Sequence, residues 1–322
     1  MGGGSWSHDF YQQRSTTRQQ TGQPTFAHHA AQASKPRDQQ NVHPRLNPLG
    51  VAIRESCDSL EHPNSIAVGI ILDVTGSMES VPRVAHGKLP KLHGLIGKVG
   101  IPDTQILFGA VGDEFSDRGS AQFGQFESDN RMDEDLESFW LEGNGGGNNG
   151  ESYQNAIYFF ARHTKIDCWE KRQKKGYLFI IGDEYAHPAV RRESVKTLFG
   201  ETMEVAEIPT ADIIKECQQR YNVFYIIPQH TNHGRDTKIQ DAWKKLLGPE
   251  NVLLLQDEED ICELIATTMG VCEKVVTVDG AKAALEATGT SQLVSNKIAS
   301  SLVDLAKAKG VDPGKPPKIQ RL

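Results

Sequence analysis

An apolar run over residues 67–72 ends abruptly in Asp73-Val74-Thr75-Gly76-Ser77-Met78. A run without polar alternation predicts a strand buried on both faces, the signature of a central strand in a parallel sheet. Residues 104–111, 177–182, 223–227 and 252–255 repeat the pattern. Residues 121–126 alternate instead, with Phe123 and Phe126 as anchors, and read as a short antiparallel edge strand. Helical periodicity fills the intervals: 81–99, 132–140, a helix opened by Glu151-Ser152, then 188–199, 210–220, 236–247 and 257–271. Pro82 suits the first turn of its helix, whereas Pro90 should kink or split it. Strands alternating with helices predict a doubly wound, mostly parallel α/β sheet with helices on both faces, not a barrel.

The two ends break this pattern. Residues 1–50 are rich in Gln, Ser, Thr, His and Gly and lack periodicity, which predicts a disordered polar tail. His28-His29 belongs to that solvated tail. The ordered α/β unit is expected over 51–272. Residues 273–309 form a helical extension whose spaced Leu285, Leu293, Ile298, Leu302 and Leu305 would dock on the core or on a second copy of the chain. Residues 310–322, rich in Pro, Gly and Lys, read as a flexible tail.

The chain has 322 residues, 38% of them hydrophobic, and a formal net charge of -7. That charge opposes general nucleic-acid binding. The five cysteines, Cys57, Cys168, Cys217, Cys262 and Cys272, form no C-x-x-C pair and suit reduced thiols in a cytoplasm better than disulfides or zinc. No apolar run reaches membrane-spanning length, and Trp6 stands where a myristoylation signal needs Ser or Thr. A soluble cytoplasmic protein is the expectation.

The polar residues after residue 72 carry the chemistry. Asp73, Thr75 and Ser77 fall where open α/β sheets place ligands, at the carboxyl end of a strand. Their hard oxygens suit Mg²⁺ rather than zinc. An N-cap role for Ser77 is the plain alternative. The pentapeptide Asp73-Val74-Thr75-Gly76-Ser77 resembles the D-x-S-x-S motif of von Willebrand factor type A domains. Two further loops follow in the family's order: the Gly-rich run 143–150 leading into Glu151-Ser152 before a helix, and Asp183 ending the 177–182 strand. The resemblance covers roughly residues 64–271 and suits the bacterial intracellular members.

It implies a metal-ion-dependent adhesion site holding Mg²⁺, or Mn²⁺ or Ca²⁺. Thr75 and Ser77 would ligate directly, with Asp73 and Asp183 acting mostly through water. Where the family has a ligating Thr, this chain has Glu151, with Asn148, Asn149 and Ser152 as nearby substitutes. Glu151 either ligates and closes the site or swings aside for a partner; closure is the reading taken. Asp113 would add charge to the same rim. The implied function is metal-dependent protein binding, a partner's acidic side chain completing the shell. Partners of the AAA+ ATPase or stress-complex kind follow from the resemblance.

Two alternatives stand beside it: a scaffold assembling through the C-terminal helices, and a Mg²⁺-dependent phosphatase. The second needs an acid where Thr75 stands. No P-loop and no G-x-S-x-G elbow occur, so no catalysis is expected. Glu184 and His187 read as first-turn helix residues, His230 and His233 as surface loop residues, and the basic run 171–175 as a solvated loop.

Overall fold

The computed structural model describes residues 4–78, 80–143, 150–287 and 289–311, with Ser77 described by its backbone alone. Strand β1, Ile66–Asp73, is buried at all eight positions. It pairs in parallel with β2, Thr104–Val111, on one side and with β4, Gly176–Ile181, on the other. Beyond β4 lie β5, Tyr221–Pro228, and β6, Val252–Leu255, both parallel. Strand β3, Ala121–Phe123, closes the far edge antiparallel to β2, with Gly109 opposite Phe123. The order is β6-β5-β4-β1-β2-β3: five parallel strands and an antiparallel edge.

The side-chain alternation of β1 splits the core in two. Ile66, Val68, Ile70 and Leu72 face one layer, and Ala67 and Ile71 face the other. The first layer includes α3, Ser80–Gly87, α4, Leu89–Lys98, and α11, Ile261–Cys272. The second includes α6, Tyr153–Arg162, α9, Thr210–Gln218, and α10, Thr237–Leu247. On that side Gly69 is obligatory, because a Cβ there would stand 2.3 Å from the Phe160 ring. The expected split at Pro90 is present: Pro90 occupies the first turn of α4, where its missing N–H costs nothing.

The chain leaves β1 for β2 on one side and later returns through β4 on the other. The strand order therefore reverses between β1 and β4, and the crevice above their carboxyl ends is a topological switch point. Asp73 ends β1, and Asp183 lies two residues beyond β4.

The N-terminal segment differs from its expected disorder. Residues 8–21 form α1, His8–Thr21, and residues 27–33 form α2, Ala27–Ala33. Phe26 and Leu46 enter the core, and Leu46 accepts a backbone bond from Phe123 of β3 (2.8 Å). Helix α1 has no apolar stripe, and only its Tyr11 and Arg18 are buried. Its anchorage is ionic. Asp133, fully buried on α5, Arg131–Glu137, receives Arg18 at 3.0 Å, Arg14 at 2.9 Å and the His86 ring at 2.8 Å. Composition signals hydrophobic burial and is blind to such anchors, which explains the difference.

The C-terminal helices α12, Val278–Ala287, α13, Gln292–Ser301, and α14, Val303–Ala308, pack on the chain's own core. Leu285, Ile298, Leu302 and Leu305 are spent there, while Leu293 is 66% exposed. The tail over 312–322 lies outside the described residues. No helix among the described residues is long and apolar enough to cross a membrane.

Arg18→Ala would strip a guanidinium from a buried carboxylate. Loss of one partner of a buried pair costs about 3 kcal/mol, which should lower the urea midpoint of unfolding. A floppy tail would give a change within about 0.5 kcal/mol.

Candidate functional site

Three short segments meet over the switch point. After β1 the chain turns through Val74 and Thr75 into a single 3-10 turn, Gly76–Met78. Asp73 shapes this turn: its Oδ1 accepts the Thr75 N–H (2.8 Å) and the Thr75 hydroxyl. Its Oδ2 accepts the Tyr153 hydroxyl from the first residue of α6. Tyr153 is held edge-on against Tyr225 and Trp243, and it fits only because residue 182 is glycine. A Cβ at Gly182 would lie 2.2 Å from the Tyr153 oxygen. The Gly143 N–H donates to the Val74 carbonyl (3.2 Å), bringing the start of the Gly-rich run against the first turn.

The second and third segments are zipped together. Gly150–Glu151 pairs in parallel with Tyr185–Ala186, and the Glu151 carbonyl accepts the His187 N–H (3.4 Å). Ser152 is fully buried and committed: its hydroxyl accepts the Glu114 N–H (2.8 Å) and its own N–H donates to Gly112 (3.2 Å). It acts as a brace between loops. Asp183 accepts the His233 N–H through Oδ2 (3.2 Å).

Sequence reading placed Glu184 and His187 in the first turn of a helix; both instead flank the Tyr185–Ala186 strand, and the next helix starts at Arg192. His187 binds Asp113 at 2.8 Å and His233 lies 3.3 Å from Glu184, so both imidazoles face the acidic rim. His230 pairs with Glu258 (3.0 Å).

Asp73, Thr75, Glu151 and Asp183 are thus all buried at one end of the sheet. The Ser77 hydroxyl, Asn148 and Asn149 lie outside the described residues. Burial pushes the Asp73 carboxyl up to about 7; Asp183 adds to the rise, and the bonds from Thr75 and Tyr153 oppose it. Burial also drives Glu151 up to about 10, reinforced by Asp73, Asp113, Asp117 and Glu184. Its Oε2 is buried and has no hydrogen-bond partner among the described residues. A carboxylate so placed must hold a proton or face a cation.

This donor set is all oxygen and surplus in negative charge, which fits a hard divalent cation and not zinc. The carboxylates are not a tight cluster, however. Among the described residues, the grouping of three His, Cys, Asp or Glu ligand atoms within 4.8 Å is His86, Asp133 and Glu137, not Asp73, Glu151 and Asp183. Arg18 and Arg14 already fill the first group with ion pairs, so it is structural. Sequence reading missed Tyr153, which looks like any core aromatic at a helix start.

Gly182→Ala should force Tyr153 off Asp73. Overpacking of this kind costs about 1–3 kcal/mol, and thermal melting should show it, whereas Tyr153→Phe should remove the hydrogen bond with a smaller loss.

No family model matches the chain, and no curated protein does either. Solved structures with a similar course include the pilus adhesin SpaC of Lactobacillus rhamnosus GG in its open conformation. It is 10% identical over 69% of this chain and 31% of the adhesin, with a TM-score of 0.42. Proximal thread matrix protein 1 of the mussel byssus is 8% identical over 66% of this chain and 48% of that one, with a TM-score of 0.40. This chain therefore spans about a third of the adhesin's length and about half of the matrix protein's. Neither likeness bears on function.

Proposed function

We propose that the chain is a metal-dependent protein-binding module of the von Willebrand factor type A kind, acting in the cytoplasm and without catalysis. Mg²⁺, or Mn²⁺ or Ca²⁺, is held above the switch point by Thr75, Ser77 and Glu151, with Asp73 and Asp183 behind them. The observation that carries this reading is the orphaned Glu151 Oε2, buried in the field of four other carboxylates. A bound cation would supply the missing positive charge. Glu151 then ligates the ion and closes the site, or yields its place to an acidic side chain of a partner. Partners of the AAA+ ATPase or stress-complex kind are the first to try.

Two outcomes test it. In chelator, Asp73 and Glu151 keep their protons in the folded state to about 7 and about 10, against ordinary values of 3.8 and 4.5. The folded chain binds the extra protons, so their contribution to stability is full below about pH 4 and is lost as pH rises through those values. Melting temperature in chelator should therefore fall between pH 5 and 9, as flagged by those raised values, roughly one decade of folding constant being lost per group per pH unit at most. Saturating Mg²⁺ should abolish the slope and add about 2.7 kcal/mol at 100-fold excess over Kd. Second, Asp73→Ala combined with Ser77→Ala should eliminate metal-dependent capture of a partner. Capture that persists in chelator would defeat the proposal.

A further inference from the structure

The carboxylates of the candidate site differ in how much of their accepting capacity the protein already uses. A carboxylate has about four lone-pair positions. Asp73 has three of them taken: Oδ1 accepts the N–H (2.8 Å) and the hydroxyl of Thr75, and Oδ2 accepts the Tyr153 hydroxyl. Asp113 is spent in the same way. Its Oδ1 meets the His187 ring (2.8 Å) and accepts the Phe115 N–H (3.3 Å), and its Oδ2 accepts the Ser116 hydroxyl (3.1 Å). Asp183 gives Oδ2 to the His233 N–H (3.2 Å). Glu151 stands apart, its buried Oε2 having no hydrogen-bond partner among the described residues.

With both lone pairs of Oδ1 used, Asp73 cannot clasp a cation through its two oxygens at once. What it retains is the second lone pair of Oδ2, and the Tyr153 hydroxyl fixes that oxygen. Tyr153 has little freedom to let go. It is fully buried at the first position of α6, with Tyr225 at 5.4 Å and Trp243 at 5.6 Å against its ring, and its oxygen is seated over Gly182. Thr75 is different: its hydroxyl spends the proton on Asp73 and keeps its lone pairs. Divalent cations ask different things of such a set. Ca²⁺ takes about six to eight oxygens and readily uses bidentate carboxylates, whereas Mg²⁺ keeps several waters and needs only one or two carboxylates.

We infer that Tyr153 is the specificity-determining residue of the candidate site, and that by holding Oδ2 of Asp73 it makes the site prefer Mg²⁺ to Ca²⁺. The inference rests on the metal reading above and narrows its three candidate ions. With the hydroxyl in place, the carboxylate capacity left for a cation is concentrated on Glu151, and water completes the shell, which is the habit of Mg²⁺. Without the hydroxyl, Oδ2 of Asp73 becomes a second anionic oxygen with both lone pairs open. A set richer in carboxylate oxygen favours Ca²⁺.

Separate calorimetric titrations of Mg²⁺ and Ca²⁺ into the full chain, wild type and Tyr153→Phe, test it. Gly182→Ala serves as a second variant, because it displaces the same hydroxyl from Asp73 by another route. Tyr221→Phe is the control: it deletes a buried hydroxyl bonded to Thr164 (2.8 Å) at the start of β5. The wild type should bind Mg²⁺ about tenfold or more tighter than Ca²⁺. Tyr153→Phe and Gly182→Ala should shift that ratio toward Ca²⁺ by about tenfold, chiefly through tighter Ca²⁺ binding, and Tyr221→Phe should leave it unchanged. Ca²⁺ bound by the wild type as tightly as Mg²⁺, or both affinities moved by one factor in the two variants, would overturn the inference and leave the metal site standing. No saturable heat from either ion in any of the four chains would remove the metal site and the inference together.

Discussion

Carboxylates buried together at one edge of a sheet set the constraint on which the site depends. Asp73, Asp113 and Asp183 are fully buried and Glu151 nearly so, all near the carboxyl ends of β1, β2 and β4. Burial and mutual repulsion oppose ionisation of Asp73 and Glu151. The fold answers part of the problem with hydrogen bonds: Thr75 and Tyr153 donate to Asp73, the His233 backbone N–H donates to Asp183, and the His187 ring contacts Asp113. Among the described residues Glu151 receives no such help on Oε2, so its burial is the least compensated of the group.

Loop packing turns this constraint into geometry. The four-residue contact between Gly150–Glu151 and Tyr185–Ala186 fixes the second segment to the third, and Gly143 bonds to Val74 of the first. Ser152 then ties α6 to the loop after β2. The same loop after β2 carries Asp113, whose carboxylate meets the His187 ring (2.8 Å).

The sheet was legible because its central strands are continuous apolar runs, and such runs have few alternatives to a buried parallel strand. Asp73 and Asp183 were legible because they terminate those runs, and Glu151 because it precedes an amphipathic helix. Tyr153 was not: its role depends on Gly182, distant in the chain, leaving room for its hydroxyl beside Asp73. The N-terminal segment was misread because Arg14 and Arg18 find their partners on α5, more than a hundred residues away. Local pattern carries no information about that pairing. Of the C-terminal stripe, Leu285, Ile298, Leu302 and Leu305 pack as their spacing suggests, while Leu293 stays exposed and the stripe's destination required the structure.

Calorimetric titration of Mg²⁺ into the wild-type chain and into Glu151→Gln at pH 7 tests the central claim most directly. The account predicts a single saturable site in the wild type with release of a proton, since Glu151 is protonated in the free chain and must ionise to ligate. The variant should bind more weakly and release fewer protons. Absence of saturable heat with Mg²⁺, Mn²⁺ and Ca²⁺ in the wild type, or unchanged affinity and proton release in Glu151→Gln, would contradict it.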